Sequence, residues 1–288
     1  MSKVLVTGAT GTIGSQVVKG LVAGGASVRV GLRDPAKGDA LRAAGAEVVA
    51  LDLDQPETLQ PAFAGATRVF LLTPFVEHFL PLVRAAVDAA KGAGVEFILR
   101  MSALGADRAS PDALGREHGQ SEDLVKGSGL DWAVLQPTFF QDNVFNFQGE
   151  SLKQQGAFYG ASKGGKVSYV SSTDVGSVAA AILAKPDAHK GKTYVVTGSE
   201  ALADTEVAVL LSKAIGRAIR YVDLTPADYL GAMTSQGAPS WMAAHIVALE
   251  MVKANGWAAT VAPTVQEILG RAPEGYAAFL NRNRARLG

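Results

Sequence analysis

The chain has 288 residues, of which 48% are hydrophobic and 19% charged, enough to build a sizeable core in one large or two small domains. Basic and acidic side chains number 27 each, so charge indicates neither a nucleic-acid partner nor an anionic membrane. Cysteine is absent, which excludes disulfides, thiolate catalysis and Cys-ligated zinc. Without a signal peptide or a bilayer-length apolar stretch, we expect a cytoplasmic monomer or homodimer with no membrane segment. The four histidines are not spaced as metal ligands, and we expect no metal site.

The first half of the chain alternates short apolar segments with amphipathic helical patterns. Strands are predicted at 3–7, 27–32, 46–51, 67–72, 95–100 and 131–136. Helices are predicted between them at 12–24, 35–44, 56–64, 78–92 and 112–127. This alternation predicts an α/β fold of the Rossmann type, a doubly wound parallel sheet with helices on both faces.

The alternation stops after Pro137. The second half predicts a helix at 141–155, a Gly/Ser-rich loop at 156–172 with a strand at 167–170, a helix at 173–184, strands at 193–196 and 219–222, and mostly helix after Pro226. We therefore assign residues 1–140 to a nucleotide-binding domain, to which 167–196 return. Residues 141–288 form a smaller, mostly helical part that binds the substrate.

The turn after the first strand is the most informative segment of the chain. Gly8 and Gly11 lack a Cβ, so the backbone can turn tightly and approach a ligand, and Gly14 lets the helix pack near the strand. The helix N-terminus then offers unpaired N–H groups and a positive dipole end to an anion. This arrangement predicts a site for the pyrophosphate of NAD(P), formed by Gly8, Thr10, Gly11, Thr12, Ile13 and Gly14.

The end of the second strand bears on which dinucleotide is bound. An acidic side chain there favours NAD, whereas a basic one accepts the 2′-phosphate of NADP. Arg33 stands at this end, and Lys37 follows one helical turn later. We therefore expect NADPH to be preferred over NADH. Asp34 leaves two alternatives open, since it could cap the next helix or contact a ribose.

Two later strand ends complete the predicted cofactor site. Asp52 and Leu53 follow the third strand at positions that flank adenine in related folds, although an exposed turn explains them nearly as well. The segment Thr73, Pro74 and Phe75 follows the fourth strand and should run near the nicotinamide ribose.

Several motifs together resemble the NmrA-like family of atypical short-chain dehydrogenases/reductases. They are the G-x-x-G-x-x-G spacing of the first turn, Ser128-Gly-Leu-Asp-Trp-Ala-Val-Leu-Gln-Pro-Thr-Phe-Phe140, Asp174-Val-Gly-Ser-Val-Ala179 and Leu269-Gly-Arg-Ala-Pro273. In that family an arginine often stands where Gln136 stands here. The resemblance implies a relation to NADPH quinone reductases and triphenylmethane reductase.

The usual catalytic pair of the wider superfamily is missing. Ordinary members carry Tyr-x-x-x-Lys on the helix after the fifth strand; the corresponding positions here are Leu114 and His118, and no tyrosine occurs in 101–130. A Tyr-x-x-x-Lys at Tyr159 and Lys163 lies in the predicted glycine-rich loop, and we interpret it as a chance match.

His118 and Ser102 are therefore the candidate catalytic residues. His118 could donate a proton or bind the substrate, or it could fix the nicotinamide ribose or simply face solvent. Ser102, just after the fifth strand, could bind the ribose or the acceptor, or be a plain loop serine. Phe139, Phe140 and Trp241 could line an apolar substrate pocket, although each could equally be core.

A missing proton donor favours acceptors whose reduced products are delocalised or neutral. Quinones, azo dyes, triarylmethane cations and activated carbonyls meet that condition, because hydride transfer to them depends mainly on positioning. The sequence thus predicts an NADPH-dependent reductase of a small conjugated acceptor. The alternative is a non-catalytic, NAD(P)-sensing regulator of the NmrA type. An epimerase or dehydratase ranks last, because such enzymes need the Tyr/Lys pair.

Overall fold

The computed structural model describes residues 2–286. The chain forms two compact units. Of the described residues, the first contains 2–136, Ser172–Val195 and Glu267–Gly270, and the second contains Pro137–Ser171, Val196–Gln266 and 271–286.

The strands and helices are as follows. The strands are β1 Lys3–Val6, β2 Ser27–Leu32, β3 Glu47–Ala50, β4 Arg68–Leu71, β5 Phe97–Met101, β6 Asp131–Pro137, β7 Ala157–Gly160, β8 Lys166–Val167, β9 Lys192–Val196, β10 Leu202–Ala203 and β11 Arg220–Asp223. The α-helices are α1 Thr12–Ala23, α2 Asp39–Ala43, α3 Pro56–Phe63, α4 Leu80–Gly92, α5 Ala113–Lys126, α6 Asn143–Asn146, α7 Gly149–Gln155, α8 Ser172–Ala184, α9 Asp204–Ile215, α10 Pro226–Ser235, α11 Ser240–Ala254, α12 Thr264–Leu269 and α13 Tyr276–Arg282.

A seven-stranded parallel sheet runs in the order β3-β2-β1-β4-β5-β6-β9, which confirms the predicted Rossmann-type fold. Strand β1 lies in the middle, with Val4 paired to Val28 of β2 on one side and to Arg68 of β4 on the other. The strand order therefore reverses between β1 and β4. In open α/β sheets such a reversal separates the connecting loops and leaves a crevice for ligands at the carboxyl ends.

The second unit departs from the sequence prediction in two places. The helix predicted at 141–155 is broken into α6 and α7, because the chain turns at Gln148, whose side chain bonds the backbone of Tyr159. The loop predicted at 156–172 contains β7, which pairs in parallel with β11. The partner strand is some sixty residues away along the chain, so local sequence preference does not reveal it.

Helix α8 packs tightly against α1 in the first unit. The two helices approach so closely that a Cβ built on Gly176 would overlap Gln16, and one on Gly20 would lie 2.8 Å from the Cβ of Ala180. The Asp-Val-Gly motif therefore serves helix packing. Its glycine, Gly176, lets α8 pack closely against α1, the helix that follows the glycine turn.

We predict that Gly176→Ala destabilises the protein by about 1–3 kcal/mol, because the added methyl overpacks the contact between α1 and α8. Urea denaturation measures the change. Gly231→Ala is the matched control: a Cβ there meets nothing within 4 Å, and helix propensity should make that variant as stable as the wild type or slightly more so. Equal stability of the two variants would refute the packing role.

Candidate active site

Three glycines shape the turn between β1 and α1, each for a different reason. Gly8 has φ +64°, a left-handed conformation that disfavours other residues, and a Cβ there would lie 3.1 Å from Leu72 Cδ2. The Gly11 amide donates to the Gly8 carbonyl at 3.0 Å. A Cβ on Gly14 would overlap that same carbonyl. The first turn of α1 is thereby pressed against the end of β1.

The start of α1 suits a bound anion. Among the described residues no side chain caps this helix, and its first turn carries no acidic residue. The backbone amides at the helix start and the positive end of the helix dipole can therefore serve a phosphate group. That this turn binds a pyrophosphate stays a prediction.

The glycine turn and the segment after β4 lie side by side. The Thr7 hydroxyl donates to the Leu72 carbonyl at 2.7 Å, and the Leu72 amide donates back to it at 2.8 Å. These two hydrogen bonds across the strand reversal hold the carboxyl ends of β1 and β4 together, and Thr73 follows directly after them. Pro74 and Phe75 come next, and the Phe75 side chain is exposed. The sequence analysis did not identify Thr7 as a residue that fixes this geometry.

The residues that directly follow β2 are exposed, and the predicted cofactor residues after β3 are half-buried. Arg33 is exposed directly after β2. The Asp34 carboxylate accepts from the Ala36 amide and so caps the short 3₁₀ helix that follows, the first of the alternatives left open by the sequence. Lys37 lies 3.9 Å from Asp34 on the surface. The Asp52 carboxylate accepts from the amide two residues on, as in a solvated turn, and Leu53 is half-buried.

Arg100, at the carboxyl end of β5, is fully buried. Its guanidinium donates to the Thr73 hydroxyl and the Leu71 carbonyl, both at 3.3 Å, and lies over the ring of Phe79. Burial lowers the pKa of Arg100 to about 10, although nearby carboxylates act in the opposite direction. The sequence analysis missed this residue; its signal is a single charge inside the apolar strand Phe-Ile-Leu-Arg-Met.

The candidate catalytic residues come together at the end of β5. Ser102 is buried, and its hydroxyl lies 3.5 Å from Nδ1 of His118 on α5. The His118 ring packs against Phe79, with the centroids 4.7 Å apart. Leu114, one turn earlier at the position that the sequence analysis matches with the usual tyrosine, is a buried apolar side chain.

A buried carboxylate that the sequence analysis missed completes this group. Glu122 lies one helical turn after His118 and accepts from the Ser102 hydroxyl at 2.6 Å. Gln136 Nε2 and Lys126 Nζ donate to the same carboxylate, each at 2.8 Å. In sequence, Glu122 resembles the many solvated acids of a surface helix, and only its burial singles it out.

The predicted substrate residues make packing contacts within the second unit. Phe139 meets Tyr169 edge-on, and the buried ammonium of Lys253 lies 5.2 Å from the centroid of the Phe139 ring. Phe140 forms an isolated backbone bridge with Val170. Trp241 packs edge-on against His245. A role for these residues in substrate binding stays a prediction.

The Tyr-x-x-x-Lys match does not form a helical pair. Tyr159 lies on β7 rather than in a loop and donates to the Gln155 side chain. Lys163 lies in the turn beyond it, with φ +50°. The described part of the chain holds no cluster of three or more potential metal ligands. None of the helices within residues 2–286 is long and apolar enough to cross a membrane.

The chain is similar to several known proteins over nearly its whole length. The NmrA-like family model matches residues 1–267. An NAD(P)H azoreductase of Xenophilus azovorans is 36% identical over 285 residues, covering 99% of each chain. Quinone oxidoreductase 2 of Escherichia coli strain K12 is 30% identical over 270 residues, covering 93% of each. The crystal structure of an NADPH-dependent quinone oxidoreductase from Escherichia coli in complex with NADPH superposes with a TM-score of 0.88 at 28% identity, covering 97% of this chain and 99% of that one.

We predict that Gly14→Ala weakens dinucleotide binding by roughly 1–3 kcal/mol, because the new methyl pushes the first amides of α1 away from their positions. Isothermal titration calorimetry with NADPH measures the loss. Gly24→Ala, at the other end of the same helix, is the control: its Cβ meets only helix carbonyls, at 3.4 and 3.5 Å. Unchanged affinity in Gly14→Ala would exclude this turn as the pyrophosphate site.

Proposed function

The chain belongs to the NmrA-like family, and from that premise we propose that it is an NADPH-dependent reductase of a small conjugated acceptor such as a quinone or an azo or triarylmethane dye. NADPH, when bound, supplies the hydride for this reduction. The azoreductase and quinone oxidoreductase named above support an NAD(P)H-dependent oxidoreductase, since both align with nearly the whole chain.

The cofactor would be held by backbone at one end and by a positive charge at the other. The amides at the start of α1 would bind the pyrophosphate. Arg33 is exposed at the end of β2, where a 2′-phosphate is recognised in this type of fold. Asp34, the acidic residue that could favour NADH, already caps the next turn. This arrangement supports a preference for NADPH.

The observation that carries the acceptor class is that, among the described residues of the candidate active site, the helix after β5 offers no tyrosine as proton donor. Leu114 is apolar where a tyrosine would donate, and the Ser102 hydroxyl donates its hydrogen bond to Glu122. A ketone reduced in such a site would form an alkoxide without the tyrosine that usually protonates it. Conjugated acceptors spread the added charge and need less help, so this atypical site suits them better.

Replacing Arg33 with alanine should weaken NADPH by roughly 1–3 kcal/mol and leave NADH almost unaffected, because only NADPH loses a charge-assisted phosphate contact. Titration of each variant with both cofactors measures the difference. Arg84→Ala, which removes an exposed arginine from α4, is the control and should change neither affinity. Equal weakening of the two cofactors by Arg33→Ala would contradict the 2′-phosphate role.

The acceptor class is tested by following NADPH oxidation with a menadione-type quinone, an azo dye, a triarylmethane dye and a simple aliphatic ketone. We expect turnover with at least one of the conjugated compounds and none above background with the ketone. Efficient ketone reduction would contradict the proposal. Inertness toward every acceptor, with tight NADPH binding retained, would instead favour a non-catalytic NAD(P)-sensing regulator.

A further inference from the structure

We propose that Glu122 is a positioning residue that acts through Ser102 to keep the proton of neutral His118 on Nδ1. With this tautomer, Nε2 of His118 is the nitrogen that serves the acceptor or the nicotinamide ribose. This catalytic role of Nε2 rests on the proposed function. The tautomer itself follows from the hydrogen-bond chain Glu122–Ser102–His118, whichever ligand is bound.

The first step is the direction of the bond between Glu122 and Ser102. A carboxylate has lone pairs and no proton to give, so the hydroxyl must be the donor in this 2.6 Å contact. Gln136 donates an amide N–H to the same oxygen, Oε1. The Ser102 backbone is also fixed, since its amide donates to the Leu135 carbonyl at 2.8 Å. The hydroxyl therefore has little freedom to turn elsewhere.

The second step follows from the single proton of a hydroxyl group. With that proton on the side of Glu122, Ser102 offers only lone pairs to His118 Nδ1, 3.5 Å away. Nδ1 must then carry a proton to make a favourable contact. The neutral ring thus has its lone pair on Nε2, and the cationic ring has its second proton there.

The charged groups around His118 are compatible with this assignment. Glu117, its neighbour on α5, accepts from the Leu80 amide at the start of α4. Phe79 separates the imidazole from Arg100, since it packs against both side chains. Lys126 bonds the other oxygen of Glu122, Oε2, and leaves Oε1 to Ser102 and Gln136.

Nitrogen NMR of the ¹⁵N-histidine-labelled full chain tests the tautomer directly. The chain has four histidines, and the signals missing in His118→Gln identify those of His118. At about pH 8, where an ordinary histidine is neutral, we expect Nδ1 protonated and Nε2 unprotonated in the wild type. Ser102→Ala and Glu122→Ala should both move the proton toward Nε2, because each ends the hydroxyl's fixed role as acceptor.

Two further variants separate positioning from general structure. Glu122→Gln keeps an oxygen that accepts from Ser102, so it should retain the wild-type tautomer and most of the turnover. Asp123→Asn removes the neighbouring surface carboxylate, which pairs with Arg108, and should behave as the wild type. Glu122→Ala should lower kcat by at least about tenfold with the Kd for NADPH unchanged.

An unprotonated Nδ1 and a protonated Nε2 in wild-type His118 would overturn the proposal, as would an unchanged tautomer in Ser102→Ala. The wild-type measurement does not depend on any variant of Ser102 or Glu122, and Ser102→Ala replaces Glu122→Ala if the latter does not fold. Because the spectrum reads the tautomer without turnover, a chain that reduces no acceptor yet shows the expected proton position would refute only the proposed function.

Discussion

The close approach of α1 to the end of β1 is the constraint on which the candidate site depends. It is possible because Gly14 has no Cβ, which would occupy the space of the Gly8 carbonyl, and because Gly8 adopts a positive φ. Helix α8 packs against α1 and holds it near the end of β1, and Gly176 allows this contact because it has no Cβ. Thr7 then links β1 to β4 across the strand reversal. One short turn thus places both the amides for an anion and the strand ends that carry the polar side chains.

The parts of this architecture that the sequence predicts are those encoded locally. Each central strand is a short apolar run, each helix has its own periodicity, and the glycine turn is contiguous. The misses arise where distant segments decide the outcome. Strand β7 forms because β11 lies beside it, and the helix predicted at 141–155 breaks because Gln148 bonds Tyr159. Neither partner can be read from a window of neighbouring residues.

The same distinction holds within the candidate site. Ser102 and His118 were predicted separately as candidate catalytic residues, one because it follows a strand and the other because the sequence matches it with a superfamily position, and the structure brings them within 3.5 Å. Arg100 and Glu122 were missed because a sequence does not distinguish a buried charge from a solvated one. Burial matters here, since a charge removed from water persists only where polar partners surround it.

These two buried charges do not form an ion pair with each other; each binds a different hydroxyl group instead. The Arg100 guanidinium donates to Thr73, which leaves that hydroxyl's own proton available as a donor. Glu122 accepts from Ser102, which leaves that hydroxyl as an acceptor. A direct ion pair would offset part of the cost of desolvating the two charges, but neither hydroxyl would then be held by its present charged partner. Keeping the charges apart therefore gives the ends of two neighbouring strands opposite hydrogen-bonding character, which the local sequence around either hydroxyl does not encode.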